Sequence, residues 1–130
     1  MESILGNTRK PDLSFFRDGH IDITARVAKG INIEEGDVID ILKDNRELYL
    51  YVKTKNKDVV GLHTGRCRST KPKMGCRNFR VNCKQLCDAI FEICGNPEGV
   101  QLAAGESFEM PNVGLVVPLI TRINLYKNDK

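Results

Sequence analysis

The stretch GHIDITARVAKGINIEEGDVIDI, residues 19–41, carries most of the fold information in this chain. Ile21 and Ile23 alternate with His20 and Asp22, the period-two pattern of a half-buried strand. Thr24 offers a hydroxyl that can accept an orphan backbone N–H, which predicts a short helix over Ala25–Lys29. Gly30 is placed to end it, because glycine tolerates a left-handed backbone. So short a helix must lean on tertiary contacts. Glu35-Gly36-Asp37 reads as a turn, with Asp37 serving turn chemistry. Val38–Leu42 follows as a strand, Lys43–Arg46 as a tight turn and Glu47–Lys53 as the returning strand. There Leu48, Leu50 and Val52 alternate with Glu47, Tyr49 and Tyr51, as in an antiparallel hairpin with one buried face. The two tyrosine rings are read as cross-strand packing rather than as platforms for bases.

Upstream, residues 1–14 are polar, carry Pro11 and show no period, which predicts a flexible N-terminal arm. Phe15 and Phe16 begin the apolar pattern, and Asp18-Gly19 is a turn. Downstream, Lys55–Asp58 is a turn, and Val59–His63 and Arg77–Val81 are expected strands. Between them Gly65–Gly75 is basic, contains Pro72 and is expected to form a hairpin tip or loop. Asn82–Cys94 is the main helix. Asn82 followed by Gln85 has capping-box spacing, and Cys83, Leu86, Cys87, Ile90, Ile93 and Cys94 form an apolar stripe. Gly95 and Pro97 supply stop signals. Gly99–Ala103, Glu106–Met110 and Gly114–Leu119 read as short strands, with Ile120–Tyr126 as a last one. No internal repeat is visible. The expectation is an α+β protein, mainly antiparallel β, with one main helix near residues 82–94.

Residues 19–41, continuing to ELYLYV at 47–52, resemble the AbrB/MazE-type swapped-hairpin family. The resemblance rests on Gly19, Ile21 and Ile23, the Ala25–Lys29 helix, Ile31-Asn32-Ile33 and Glu35-Gly36-Asp37-Val38, in ungapped register. It covers residues 15–55 and departs from the family pattern at Thr24, where proline is usual, and at His20, where arginine is usual. It implies a βαββ unit too small to bury its own apolar face, so that two chains interleave hairpins into one barrel. Residues 15–55 would then be a dimerising barrel unit, with Ile21, Ile23, Val27, Ile31, Ile33, Val38, Ile41, Leu48 and Leu50 at the interface. Residues 56–130 would be an α+β elaboration packed on it in a single compact domain. The resemblance also implies a homodimer and, commonly, DNA binding through a basic surface.

Net charge is only +3 over 130 residues, so the distribution matters more than the total. From Val59 to Cys87 there is no Asp or Glu, while Arg66, Arg68, Lys71, Lys73, Arg77, Arg80 and Lys84 fall in that window. With Arg26 and Lys29 these cations are the expected nucleic-acid contacts, and Phe79 could add an aromatic surface. Charge runs are also often solvated faces that oppose edge-to-edge aggregation. The leading function is therefore a nucleic-acid-binding homodimer of the transcription-regulator kind. The rival is a non-enzymatic assembly protein of a bacterial mobile element that uses the barrel only to oligomerise. No catalytic set or cofactor motif is recognisable, so no cofactor and no enzyme activity are expected.

Five cysteines, an odd number, argue against a disulfide framework. Cys67, Cys76, Cys83 and Cys87 lack the paired spacing of a zinc site, since only Cys83 and Cys87 are close enough, and Cys94 joins the helix stripe. His20 and His63 read as structural imidazoles. No apolar run approaches the ~20 residues that span a membrane, and the first ten residues do not resemble a secretory signal. These features place the expected protein in the cytoplasm.

Overall fold

The computed structural model describes residues 11–45, 47–61, 65–70 and 78–120. Among the described residues nine strands and two helices follow one another. The first half runs β1 (Leu13–Phe16), β2 (His20–Ile23), α1 (Ala25–Gly30), β3 (Val38–Asp44) and β4 (Glu47–Thr54). A short 3-10 turn at Asn56–Asp58 leads to the second half. That half runs β5 (Cys67–Ser69), β6 (Phe79–Asn82), α2 (Lys84–Cys94), β7 (Gly99–Ala104), β8 (Phe108–Met110) and β9 (Gly114–Ile120).

The strands form one antiparallel sheet in the order β3-β4-β9-β7-β1-β2-β6-β5, with β8 added beside β9. Its two ends meet. Val38 and Arg66 form a bridge, and around it the Gly36 N–H donates to the Cys67 carbonyl at 2.7 Å. The Cys67 N–H donates to the Asp37 carbonyl at 2.7 Å and the Ile39 N–H to the Gly65 carbonyl at 3.2 Å. This closure joins β3 to β5, the two strands that would otherwise end the sheet.

The order conceals a repeat that the residues do not show. Hairpin β1–β2 corresponds to β5–β6, α1 to α2, and hairpin β3–β4 to β7–β9. Apart from β8–β9, every pairing has its counterpart: β1 with β7 matches β5 with β3, while β2–β6 and β4–β9 join equivalent strands of the two halves. Around the barrel the hairpins come alternately from the first and second halves. The sequence carries no visible internal repeat, and the topology has one. The described residues after 56 supply the second set of hairpins of the barrel.

The pairing register locates the symmetry. Ile21 faces Val81 and Ile23 faces Phe79, so exchanging the halves sends one pair onto the other. Asp22 faces Arg80, and the exchange sends this pair onto itself. A pseudo-two-fold axis therefore passes between Asp22 and Arg80.

The residues expected at a dimer interface lie in this chain's own core. Ile21, Ile23, Val27, Ile31, Ile33, Val38, Leu48 and Leu50 are buried, and Ile41 is half-buried against them. Their partners come from the second half: Phe79, Val81, Cys67, Leu102, Val117 and Leu119 join the same cluster. Burial of this face, a main driving force for folding, is met within one chain.

Several boundaries move. The chain is already in the core at Leu13, within the expected arm, because Leu13 pairs with both Ile23 and Leu102. Asp12 is buried with it, its carboxylate accepting the Ala104 N–H at 2.8 Å. Val59 and Val60 are not in a strand, and Val60 is 84% exposed. Cys67–Ser69, expected as loop, is a strand because β6 and the β3 entry hold it from both sides. Helix α2 begins at Lys84, not Asn82; Asn82 is still paired with His20, so the capping box does not form. Ile93 is 44% exposed, and Phe91 takes its place on the buried face beside Cys87 and Ile90. Gly30 stays helical, and the left-handed residue after α1 is Asn32, at φ 58°. The expected final strand from Ile120 to Tyr126 lies, beyond Ile120, outside the described residues.

Candidate nucleic-acid interface

The two equivalent hairpins differ in the sequence of their tips. In the first, the chain turns over Arg17-Asp18-Gly19, with Gly19 at φ 101° and its N–H donating to the Phe16 carbonyl. The charges there are balanced. Arg17 pairs with Glu98 at 3.3 Å, and Asp18 bonds the His20 ring, which stacks on Phe16 at 4.1 Å. Those bonds from the His20 backbone and ring hold the Asp18 carboxyl below its usual pKa.

In the second hairpin the Thr70 N–H donates to the Asn78 carbonyl at 2.9 Å, closing the base of the tip. Between them the sequence is KPKMGCR, with three cations and no carboxylate. Lys71, Lys73 and Arg77, expected as phosphate contacts, lie in this segment, outside the described residues, as does Cys76.

Each tip also serves the helix of the other half. The Gly19 carbonyl accepts the Cys83 N–H at 2.8 Å, next to the start of α2. The Asn78 Oδ1 accepts the Ala25 N–H at 2.8 Å, at the start of α1. The expected cap from Thr24 does not form; its hydroxyl donates to Asp12 Oδ1 instead, at 3.4 Å.

A row of side chains crosses the outer face through the axis. Gln101 lies opposite Ser14, Ser14 opposite Asp22, Asp22 opposite Arg80, and Arg80 opposite Arg68. The row is neutral at one end and cationic at the other. Arg80 grips Asp22 through two bonds, Nε to Oδ1 at 2.7 Å and Nη2 to Oδ2 at 3.2 Å. These bonds raise the guanidinium's pKa further. Arg68 is exposed and forms an ion pair with no described residue. Beside the row, a shallow depression of about 190 Å³ is lined by Asp22, Ile23, Thr70, Asn78, Phe79 and Arg80.

Comparison with family models, curated proteins and solved structures gave no match.

The remaining expected cations divide by environment. Arg66 is a structural group: its Nε donates to the Gly36 carbonyl at 3.1 Å and its Nη2 to Asn56 Oδ1, pinning the turn before β3. Arg26 pairs with buried Asp12 and donates to the Ala104 carbonyl, both at 3.2 Å. Lys84 pairs with Asp88 one helical turn on, at 3.0 Å. Lys29 is exposed on α1 and ion-pairs with no described residue. The sequence treats all of these as equivalent; the fold sets Arg68 and Arg80 side by side and turns Arg26 and Arg66 to structural work. Phe79 is 2% exposed, so the expected aromatic surface beside the cations is not available.

Among the described residues no group of three or more Cys, His, Asp or Glu side chains has a metal-binding arrangement. Burial, reinforced by the Asp37 carboxylate, pushes the Cys67 thiol up to about 12. Burial pushes Cys87 up to about 11, and its thiol donates weakly to the His20 carbonyl. Neither thiol is a ready nucleophile or metal ligand at neutral pH. No helix among the described residues is long and apolar enough to cross a membrane.

Asp37, expected to serve turn chemistry, is the centre of a larger network. Asp37 is fully buried and accepts the Glu34 and Asn56 N–H groups at 2.8 Å each and Lys55 Nζ at 2.6 Å. Burial opposes the charge on Lys55, but the bonds and charges of Asp37 and Glu34 together outweigh it and the pKa rises. The signal available was the Glu-Gly-Asp turn, which places the carboxylate but does not name its cation.

Proposed function

We propose that this protein binds nucleic acid through the phosphate backbone, using the outer face and tip of hairpin β5–β6. The observation that carries this reading is the asymmetry between two equivalent hairpins. One tip is short and charge-balanced. The other is long and cationic, and springs from a strand pair where Arg68 lies directly opposite Arg80. Like charges across a strand pair are destabilising by themselves, so the fold carries a local cost there that an anionic partner would relieve. The alternation of hairpins from the two halves supports the resemblance to swapped-hairpin proteins of the AbrB/MazE type, many of which bind DNA. Because one chain supplies both sets of hairpins, the reading does not require the homodimer that the resemblance implies. Binding of this kind holds phosphates and does not itself read sequence. We assign no catalytic role or cofactor to the chain and place it in the cytoplasm.

The test is fluorescence anisotropy with a labelled duplex and a labelled single strand over a range of salt. Arg68→Glu, combined with Lys71→Glu and Lys73→Glu, is the disabling variant; Arg66 is left intact because it holds the β3 turn. Binding that weakens steeply with salt and is lost in the variant supports the proposal. No binding at low salt overturns it and leaves the barrel as an interaction or assembly module.

A further inference from the structure

We propose that Asp22 is a built-in competitor for the phosphate site, occupying the Arg80 guanidinium until a nucleic-acid phosphate displaces it. This rests on the nucleic-acid reading above and concerns how that surface is controlled. Asp22 holds Arg80 through two bonds, one to each carboxylate oxygen, at 2.7 and 3.2 Å. A carboxylate in this fork offers its two oxygens as a phosphate would, and both are preferred bidentate partners of arginine. The two side chains are also accessible, at 38% for Asp22 and 49% for Arg80. An exposed pair of this kind is held weakly and exchanges partners readily.

The neighbours favour exchange. Arg68 lies opposite Arg80 on the next strand, on the side away from Asp22. A phosphate seated between the two arginines would take Arg80 from Asp22 and also engage Arg68, which the carboxylate does not reach. Asp22 meanwhile keeps Arg80 extended across β2 and β6 rather than folded against Arg68. It thus sets a threshold: weak or single anions lose to the carboxylate, and a polyanion that fills both guanidiniums wins.

The experiment measures duplex and single-strand affinity over a salt series for the wild type and four variants of the full chain. Asp22→Asn is the releasing variant, and Arg80→Ala removes the group through which Asp22 is argued to act. Their double variant closes the cycle. Glu92→Gln, on the exposed face of α2, removes a carboxylate elsewhere and reports the effect of net charge alone. Asp22→Asn is expected to tighten binding about three- to tenfold at moderate salt and to steepen the salt dependence by about one phosphate contact. In the Arg80→Ala background the same change should yield no more than Glu92→Gln does. A gain from Asp22→Asn that persists without Arg80, or equals that of Glu92→Gln, overturns the competitor role while the nucleic-acid reading stands. Wild-type binding with no gain from Asp22→Asn does the same. No binding by any variant at low salt overturns both.

Discussion

Asp37 shows how one side chain can hold two parts of a chain together. Its carboxylate ties the turn before β3 to the start of the 3-10 turn after β4, through two backbone N–H groups and Lys55. Asp37→Ala would take the acceptor from two backbone N–H groups and leave Lys55 only the Asn32 carbonyl and Glu34 as partners, a change expected to cost about 2 kcal/mol in urea unfolding. A loss under about 0.5 kcal/mol, the range of an ordinary surface change, would show that the centre is not structural. The buried thiols make a second prediction. The folded pKa of Cys67, about 12, and that of Cys87, about 11, lie above the unfolded value. As pH rises past about 8.5 the unfolded chain therefore releases these protons first, and stability falls toward pH 12. Below that window the two groups contribute no pH dependence. Lys55, with its raised pKa, adds a loss of the same sign at the alkaline end. Urea titrations across this range should show the decline, and Cys67→Ala should flatten it.

At the scale of elements, each half's helix is seated by the other half's hairpin. Asn78→Ala removes the acceptor for the first N–H of α1 and is expected to cost about 1 kcal/mol in chemical denaturation. Asn82→Ala, at the residue that the sequence marks as a cap for α2, should change stability by less than about 0.5 kcal/mol. Equal losses from the two variants would contradict the cap assignment. The contrast shows what was legible. Strands β2, β3 and β4 and the body of α2 were readable because period two and period 3.6 report which face is buried. β5 was not, because Cys67-Arg68-Ser69 is too short to show a period and is a strand only through its neighbours. The cap was not, because Asn78 lies 53 residues from Ala25. The cationic cluster was legible as composition. Which arginines face solvent was not, since Arg66 and Arg68 are alike in sequence and differ in what the turn before β3 offers them.

The whole molecule behaves as a dimer whose two members share one chain, and the residues at its axis show why the sharing matters. In a true two-fold dimer the residue at the axis faces a copy of itself, so Asp22 would meet Asp22. Here the halves have diverged, and Asp22 meets Arg80. A cut in the exposed linker between Val60 and Gly61 tests this arrangement. The two fragments should stay together, because each hairpin of one pairs with hairpins of the other, and their melting temperature should rise with concentration. Fragment 1–60 alone should show no cooperative unfolding as a monomer, since β1 and β3 lose their β7 and β5 partners. Two copies of that fragment could replace the missing half only by placing two carboxylates directly opposite each other, which opposes pairing. Asp22→Asn removes that repulsion and should shift the isolated fragment toward a dimer in analytical ultracentrifugation. A fragment that folds as a monomer would mean that the halves are independent units and that their interleaving does not stabilise the barrel.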